Sequence, residues 1–238
     1  PPHFAFRGGD DHSYVLSSYL AAIAAKRIGV KQLVLQTMLN TPKYTWGIQD
    51  LAKARALLQL VRGLEDQDFT VYHQPRAGLD YFSCMMDDVE PADPQGPDII
   101  HVVSYSEAVH LATPPIINES IQITLHALQA YRRAKKAGHM DDMLHHTEVE
   151  ERTRELYHGV KETVRTLEQR IPDLYSAQGL YEVFRRGVFA VPYLWEGRDE
   201  FKEAVRWKTG LVNGGVQVLD EQGAVISPEA RMGMIFGT

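Results

Sequence analysis

Apolar side chains recur along this chain at two different spacings. Val15, Leu16, Tyr19, Leu20 and Ile23 lie at helical intervals, and this predicts a helix over residues 13–28 closed by Gly29. Leu33-Val34-Leu35 is a short apolar run that predicts a strand, followed by the polar loop 36–47. Leu51, Ala54, Leu57, Leu58 and Val61 predict a second helix over 48–61. A strand is expected at 69–74. Another is expected from Asp98, where Ile99, Ile100, Val102 and Val103 form a run suited to burial on both faces. Thr113-Pro114-Pro115 then opens a helix over 116–131, with Thr113 as N-cap and proline in the first turn. With a short strand at 4–6, the alternation strand–loop–helix occurs four times. Such alternation predicts an α/β fold with a parallel sheet, and four (β/α) units make half of a TIM-type barrel.

The pattern changes after residue 140. Val149, Leu156, Val160, Val164, Leu167 and Ile171 form one stripe of a long amphipathic helix over 148–171, which Pro172 ends. Short helices are expected at 177–186 and from Asp199 to about 207. Residues 216–220 and 224–226 read as a β-hairpin turning through Glu221-Gln222-Gly223. We therefore divide the chain into a half-barrel, 1–140, and a helical extension with a terminal hairpin, 141–238.

Charge and composition narrow the function. The chain has 238 residues and a formal net charge of −6, with no basic cluster outside a helix end. Nucleic acid and anionic membranes are not its expected partners. A single cysteine, Cys84, excludes an internal disulfide and fits a reducing cytoplasm. No signal peptide or membrane-length apolar segment is present in the sequence given. The chain opens without Met and in a strand-like segment, so we expect further sequence upstream.

Candidate chemistry collects in four loops that follow the predicted strands: Arg7/Asp10/Asp11/His12, Asn40/Lys43/Tyr44/Trp46, His73/Gln74/Arg76/Tyr81 and Ser104/Tyr105/Glu107/His110. In parallel α/β folds these loops share one rim, where ligands bind. Glu107 is the leading site residue, because an ionised carboxylate can accept both hydroxyls of a ribose. His73 and Gln74 are expected to line the substrate site, and Arg76 offers a guanidinium for a carboxylate. Asp10, Asp11 and Lys43 read better as helix caps or solvated loop groups, and His101 as a core histidine. The histidines lack the short local spacing of a zinc site, so no metal is expected. Gly8-Gly9 falls short of any phosphate loop. Asp10-x-His12 starts like the DxHxxG signature of cobalamin-binding domains, but Val15 stands where glycine is required.

Several of these pieces, in their order and spacing, resemble a known family. Residues 17–37, Gln49-Asp50-Leu51-Ala52, His73-Gln74 with Gly78, Val102 to Thr113, and Gly179, Phe184, Gly187-Val188 and Pro192 look like the C-terminal half of the large (epsilon) subunit of glutamate mutase, also called methylaspartate mutase. The resemblance implies the C-terminal half of a TIM barrel whose mouth faces adenosylcobalamin, the cofactor being shared with a separate small cobalamin-binding subunit. It implies a radical isomerase of amino-acid metabolism acting on a small amino-acid or carboxylic-acid substrate, in a homo-oligomer. Glu107 matches the family's ribose-binding glutamate and Leu111 its apolar contact. Val103 stands at the position of the family's ribose-binding lysine and Leu79 at that of a phenylalanine against the cofactor, two departures. The family's substrate-gripping arginines belong to a first half that this sequence does not include.

Two other readings stand beside this one. One is a TIM-barrel lyase or hydrolase with Glu107 and His73 as an acid–base pair. The other is a non-catalytic half-barrel module that pairs with another half.

Overall fold

The computed structural model describes residues 8–39, 44–77, 97–102, 104–106, 109–139 and 146–237. It is a mixed α/β structure with seven helices and two small sheets among the described residues. In chain order these are α1 (Asp11–Arg27), β1 (Gln32–Leu39), α2 (Gly47–Arg62), β2 (Thr70–Ala77), α3 (Pro114–Lys136), α4 (Thr147–Arg170) and α5 (Ala177–Arg185). There follow α6 (Arg198–Val205), β3 (Lys208–Val212), β4 (Gly215–Leu219) and α7 (Pro228–Phe236). No helix among the described residues is long and apolar enough to cross a membrane.

The first half behaves much as its periodicity dictates. Asp10 caps α1 by accepting the Ser13 backbone N–H, and Lys26 and Arg27 close its last turn, where cations suit the helix dipole. β1 and β2 pair in parallel, with Leu35 opposite His73 and Thr37 opposite Pro75. α2 is the crossover between them. Leu16 and Leu20 of α1, Leu57 and Val61 of α2, and Val160, Val164 and Leu167 of α4 share one core with Val183, Val188 and Phe189. The core therefore draws on segments from both ends of the chain.

The strand expected from Asp98 is absent among the described residues, and no closed barrel is present. Ile99 is 36% exposed, against the expected burial on both faces. The outer edge of β2 shows why. Its Val71 N–H goes to the Glu65 carboxylate at 2.8 Å, and its His73 N–H to the Asp98 carboxylate at 2.7 Å. The next position on that edge is Pro75, which has no N–H to give. Side chains and a proline thus leave a further strand little to pair with. Residues 98 and 99 also give both their backbone N–H groups to the single His73 carbonyl, which is not a strand ladder. The strand expected at 4–6 lies outside the described residues.

The C-terminal hairpin is shifted from the expected one. Gly215 to Leu219 pair with Lys208 to Val212, and 224–226 form no strand. The turn is Asn213-Gly214, both at positive φ (50° and 74°), as a two-residue type I′ turn requires. Residues 224–226 add one bridge, Leu219 to Val225, and an Ile226 N–H to the Val218 carbonyl. α7, capped by Ser227 with Pro228 behind it, was not anticipated from the sequence.

Candidate functional site

His101, Val102, Ser104 and residues 109–112 line an open groove of about 780 Å³ together with Ile117, Ser120 and Ile121 of α3. Its lining is mixed: His101, Ser104 and Ser120 are polar, and Val109, Leu111, Ile117 and Ile121 are apolar. Val109 and Leu111 are 81% and 90% exposed, an unusual display for large apolar side chains in neighbouring positions. The loop is held to α3 by the Tyr105 N–H, which donates to Ser120 Oγ, and by the Tyr105 hydroxyl, which donates to Glu119 at 2.6 Å. That bond to Glu119 pushes the Tyr105 phenol above its ordinary pKa. Val109 and His110 both return their N–H groups to the Ser106 carbonyl, and this tightens the turn beneath the groove.

The groove is joined to the parallel sheet through three side chains. Gln36 Nε2 donates to Gln74 Oε1 at 2.7 Å and lies 3.1 Å from His101 Nδ1. Gln74 is thus one side chain removed from a residue lining the groove. His101, expected in the core, is instead exposed and works as this link, because no strand forms there to bury it. His73 is placed differently. It is fully buried, with Nε2 2.8 Å from Thr37 Oγ1, and ties β2 to β1 from within. Arg76 lies near the end of β2, opposite Met38 of β1. Leu111 lines the groove, whereas Leu79, Val103 and Glu107 lie outside the described residues. So do Arg7, Asn40, Lys43 and Tyr81.

The first loop of the expected rim has become a buried charge cluster. Asp10, Asp11 and His12 are all buried at the start of α1. Lys53 of α2, 2% exposed, lies 3.2 Å from Asp11 and 2.8 Å from Asp50. Arg152 of α4 reaches Asp11 at 3.4 Å, and Arg231 of α7 reaches Asp10 at 2.9 Å. Burial alone works against the Lys53 ammonium. Asp11 and Asp50 more than reverse this and hold its pKa above the ordinary value. Asp10 is likewise opposed by burial, yet Arg231 and the hydrogen bonds keep its carboxyl below the usual range. Burial raises Asp11, and its two cations offset this only in part. Such a set of charges is structural when every member has a counter-charge. The capping role expected of Asp10 is the one observed. The sequence did not disclose Lys53, Arg152 and Arg231 as its partners, since they come from three separate helices.

No family model matches the chain, and no curated protein matches it. Among the described residues no group of three or more His, Cys, Asp or Glu side chains could hold a metal ion.

Proposed function

We propose that this chain is part of an adenosylcobalamin-dependent carbon-skeleton mutase resembling glutamate mutase, and that the groove between residues 101–112 and α3 faces the adenosyl group. The parallel α1-β1-α2-β2 arrangement is compatible with one portion of a (β/α) barrel. The observation that carries the reading is the mixed polar and apolar lining of the groove. A nucleoside needs an apolar wall for its base and hydrogen-bonding groups for its sugar, and the groove offers Leu111, Val109 and Ile117 for the first and His101, Ser104 and Ser120 for the second. Its size suits such a ligand. Glu107, four positions before Leu111 in sequence, is the carboxylate assigned to the ribose diol by resemblance. When bound, the cofactor supplies the radical chemistry, and the protein's part is to seat the adenosyl group and exclude water around it. The cofactor would be shared with a small cobalamin-binding subunit, and the substrate would be a small amino or carboxylic acid. Leu79 and Val103, which depart from the family pattern, would then contribute apolar surface only.

The lyase or hydrolase reading has less support. It needs His73 as a proton carrier, and that ring is closed off from solvent and engaged with Thr37. The half-barrel pairing reading has an observation of its own. Ile123 and Leu125 of α3 are about half exposed, together with Ile117 and Ile121, so a second copy of the chain would gain by covering that helix.

Equilibrium dialysis with 5′-deoxyadenosine tests the proposal. Saturable binding is expected, weakened roughly tenfold or more, about 1.4 kcal/mol, by Leu111→Asp or Glu107→Gln. Absence of saturable binding, or binding indifferent to both substitutions, would overturn it. Sedimentation equilibrium decides the oligomer separately: a monomer at all concentrations removes the self-pairing reading.

A further inference from the structure

A second, smaller cavity of about 80 Å³ lies at the start of α1, lined by Asp10, His12, Arg152, Gly159, Glu229 and Arg231 among others. It shares no lining residue with the groove. Three features of its walls point to an occupant.

The first is His12. Its ring is buried, and Nε2 lies 3.0 Å from Thr163 Oγ1. Among the described residues His12 is the only hydrogen-bond partner of that hydroxyl. If Thr163 donates to Nε2, the neutral ring carries its proton on Nδ1, and that buried Nδ1, which has no partner among the described residues, is a donor in want of an acceptor. Burial first, and then the neighbouring Arg231, hold His12 neutral, with its pKa down to about 3.

The second is Arg231. Its guanidinium is 2% exposed and gives Nη1 to Asp10 Oδ1. A guanidinium carries five N–H groups. The guanidinium lines the cavity beside His12, so a ligand oxygen placed there would meet a buried cation.

The third is Gly159, in the middle of the 24-residue helix α4. Glycine weakens a helix interior relative to alanine. Packing does not call for it, since a Cβ there would stand 3.6 Å from His12 Nδ1, an ordinary contact. Glycine instead leaves open the space above the unpaired nitrogen.

The charges lining the cavity point to the ligand class. They are of both signs: His12, Arg152 and Arg231 offer donors, and Asp10, Glu155 and Glu229 offer carboxylates. Arg231 is already balanced by Asp10, and Arg152 by Asp11 and Glu155, so a plain anion would find no unbalanced cation in the lining. We propose that this cavity binds a small zwitterionic amino acid, of glycine or alanine size, with its carboxylate on Arg231 and His12 Nδ1 and its ammonium toward Glu155 and Glu229. Such a ligand is net neutral, matches donors with acceptors at both ends, and occupies the room of roughly two to three waters.

The test is titration of the full chain with glycine, L-alanine, acetate and methylammonium, followed by calorimetry and by the ring ¹⁵N resonances of His12, assigned by their loss in His12→Gln. Glycine or alanine is expected to bind saturably at millimolar concentration or below and to shift the His12 Nδ1 resonance. Acetate should bind more weakly and methylammonium not at all. Gly159→Ala should fold with an equal or higher melting temperature and lose roughly tenfold or more in affinity. Leu111→Asp, in the groove, should leave this binding untouched. No saturable binding by either amino acid, acetate binding as tightly as glycine, or affinity undiminished in Gly159→Ala would each overturn the proposal. A His12 ring protonated on Nε2 in the free protein would overturn it as well.

Discussion

Two regions of this molecule handle awkward side chains in opposite ways. Around α1, α2 and α4 the protein takes charges out of water and gives each one a partner. Among the described residues between 98 and 125 it leaves Val109 and Leu111 largely exposed and Ile123 and Leu125 about half exposed. The first region is closed: Lys53, Asp11 and Asp50 hold one another inside a continuous apolar core. The second is open, and its energetics are incomplete without an occupant. Buried ions make the packing of the first region intolerant of change, because removing one partner strands another. Exposed apolar groups make the second region tolerant of change in the free protein and sensitive only when something binds.

The sharpest way to break this contrast is Lys53→Met. It takes a cation from two buried carboxylates, leaving Asp11 with Arg152 alone, and is expected to cost about 3–5 kcal/mol in urea unfolding. A loss below about 1 kcal/mol would show that water already reaches the cluster. A paired truncation comes next. Leu57→Ala, in the core, is expected to cost about 2–5 kcal/mol, whereas Leu111→Ser should change stability by no more than about 0.5 kcal/mol. Equal effects would mean that the open region is closed in solution.

Gly214→Ala probes the seam between the sheet and the hairpin. Gly214 has φ of 74°, and a Cβ there would fall 2.0 Å from Trp46 Cγ. A loss of about 1–3 kcal/mol is expected. The gentlest probe is acid. His12 titrates near 3 in the folded chain and near 6.5 when unfolded. Between those values the unfolded chain binds the proton and the folded chain does not, so stability falls as pH drops below about 6.5. The slope from this group is at most about 1.4 kcal/mol per pH unit. His12→Gln should flatten the wild-type profile over that window, and identical slopes in the two proteins would refute the assignment.

How far the sequence foretold the structure depended on the range of the forces involved. α1, α2 and α4 could be read because their apolar spacing is local and their ends carry their own signals, such as Asp10 before α1 and Ile171-Pro172 after α4. The strand expected after Asp98 failed because its neighbour's edge was already occupied. Pro75 and Asp98 were both visible in the sequence, but their meeting was not. The hairpin was misplaced for a different reason: Asn213-Gly214, the stronger turn signal, was passed over for Glu221-Gln222-Gly223. Of the candidate site, Leu111 lines a groove and Gln74 is linked to it. His73, chosen for its chemistry, turned out to be a buried brace between strands. The cavity beside His12 could not be read at all, since α1, α4 and α7 each contribute to it and only folding brings them together.

The contact between Trp46 and the Asn213-Gly214 turn has a practical consequence. The Trp46 N–H donates to the Gly214 carbonyl at 2.9 Å, and the indole lies across that glycine. Trp46 thereby reports on two stretches remote in sequence. Release of the hairpin would alter the share of the emission that Trp46 adds to that of Trp195 and Trp207, so it can be followed optically with no added label.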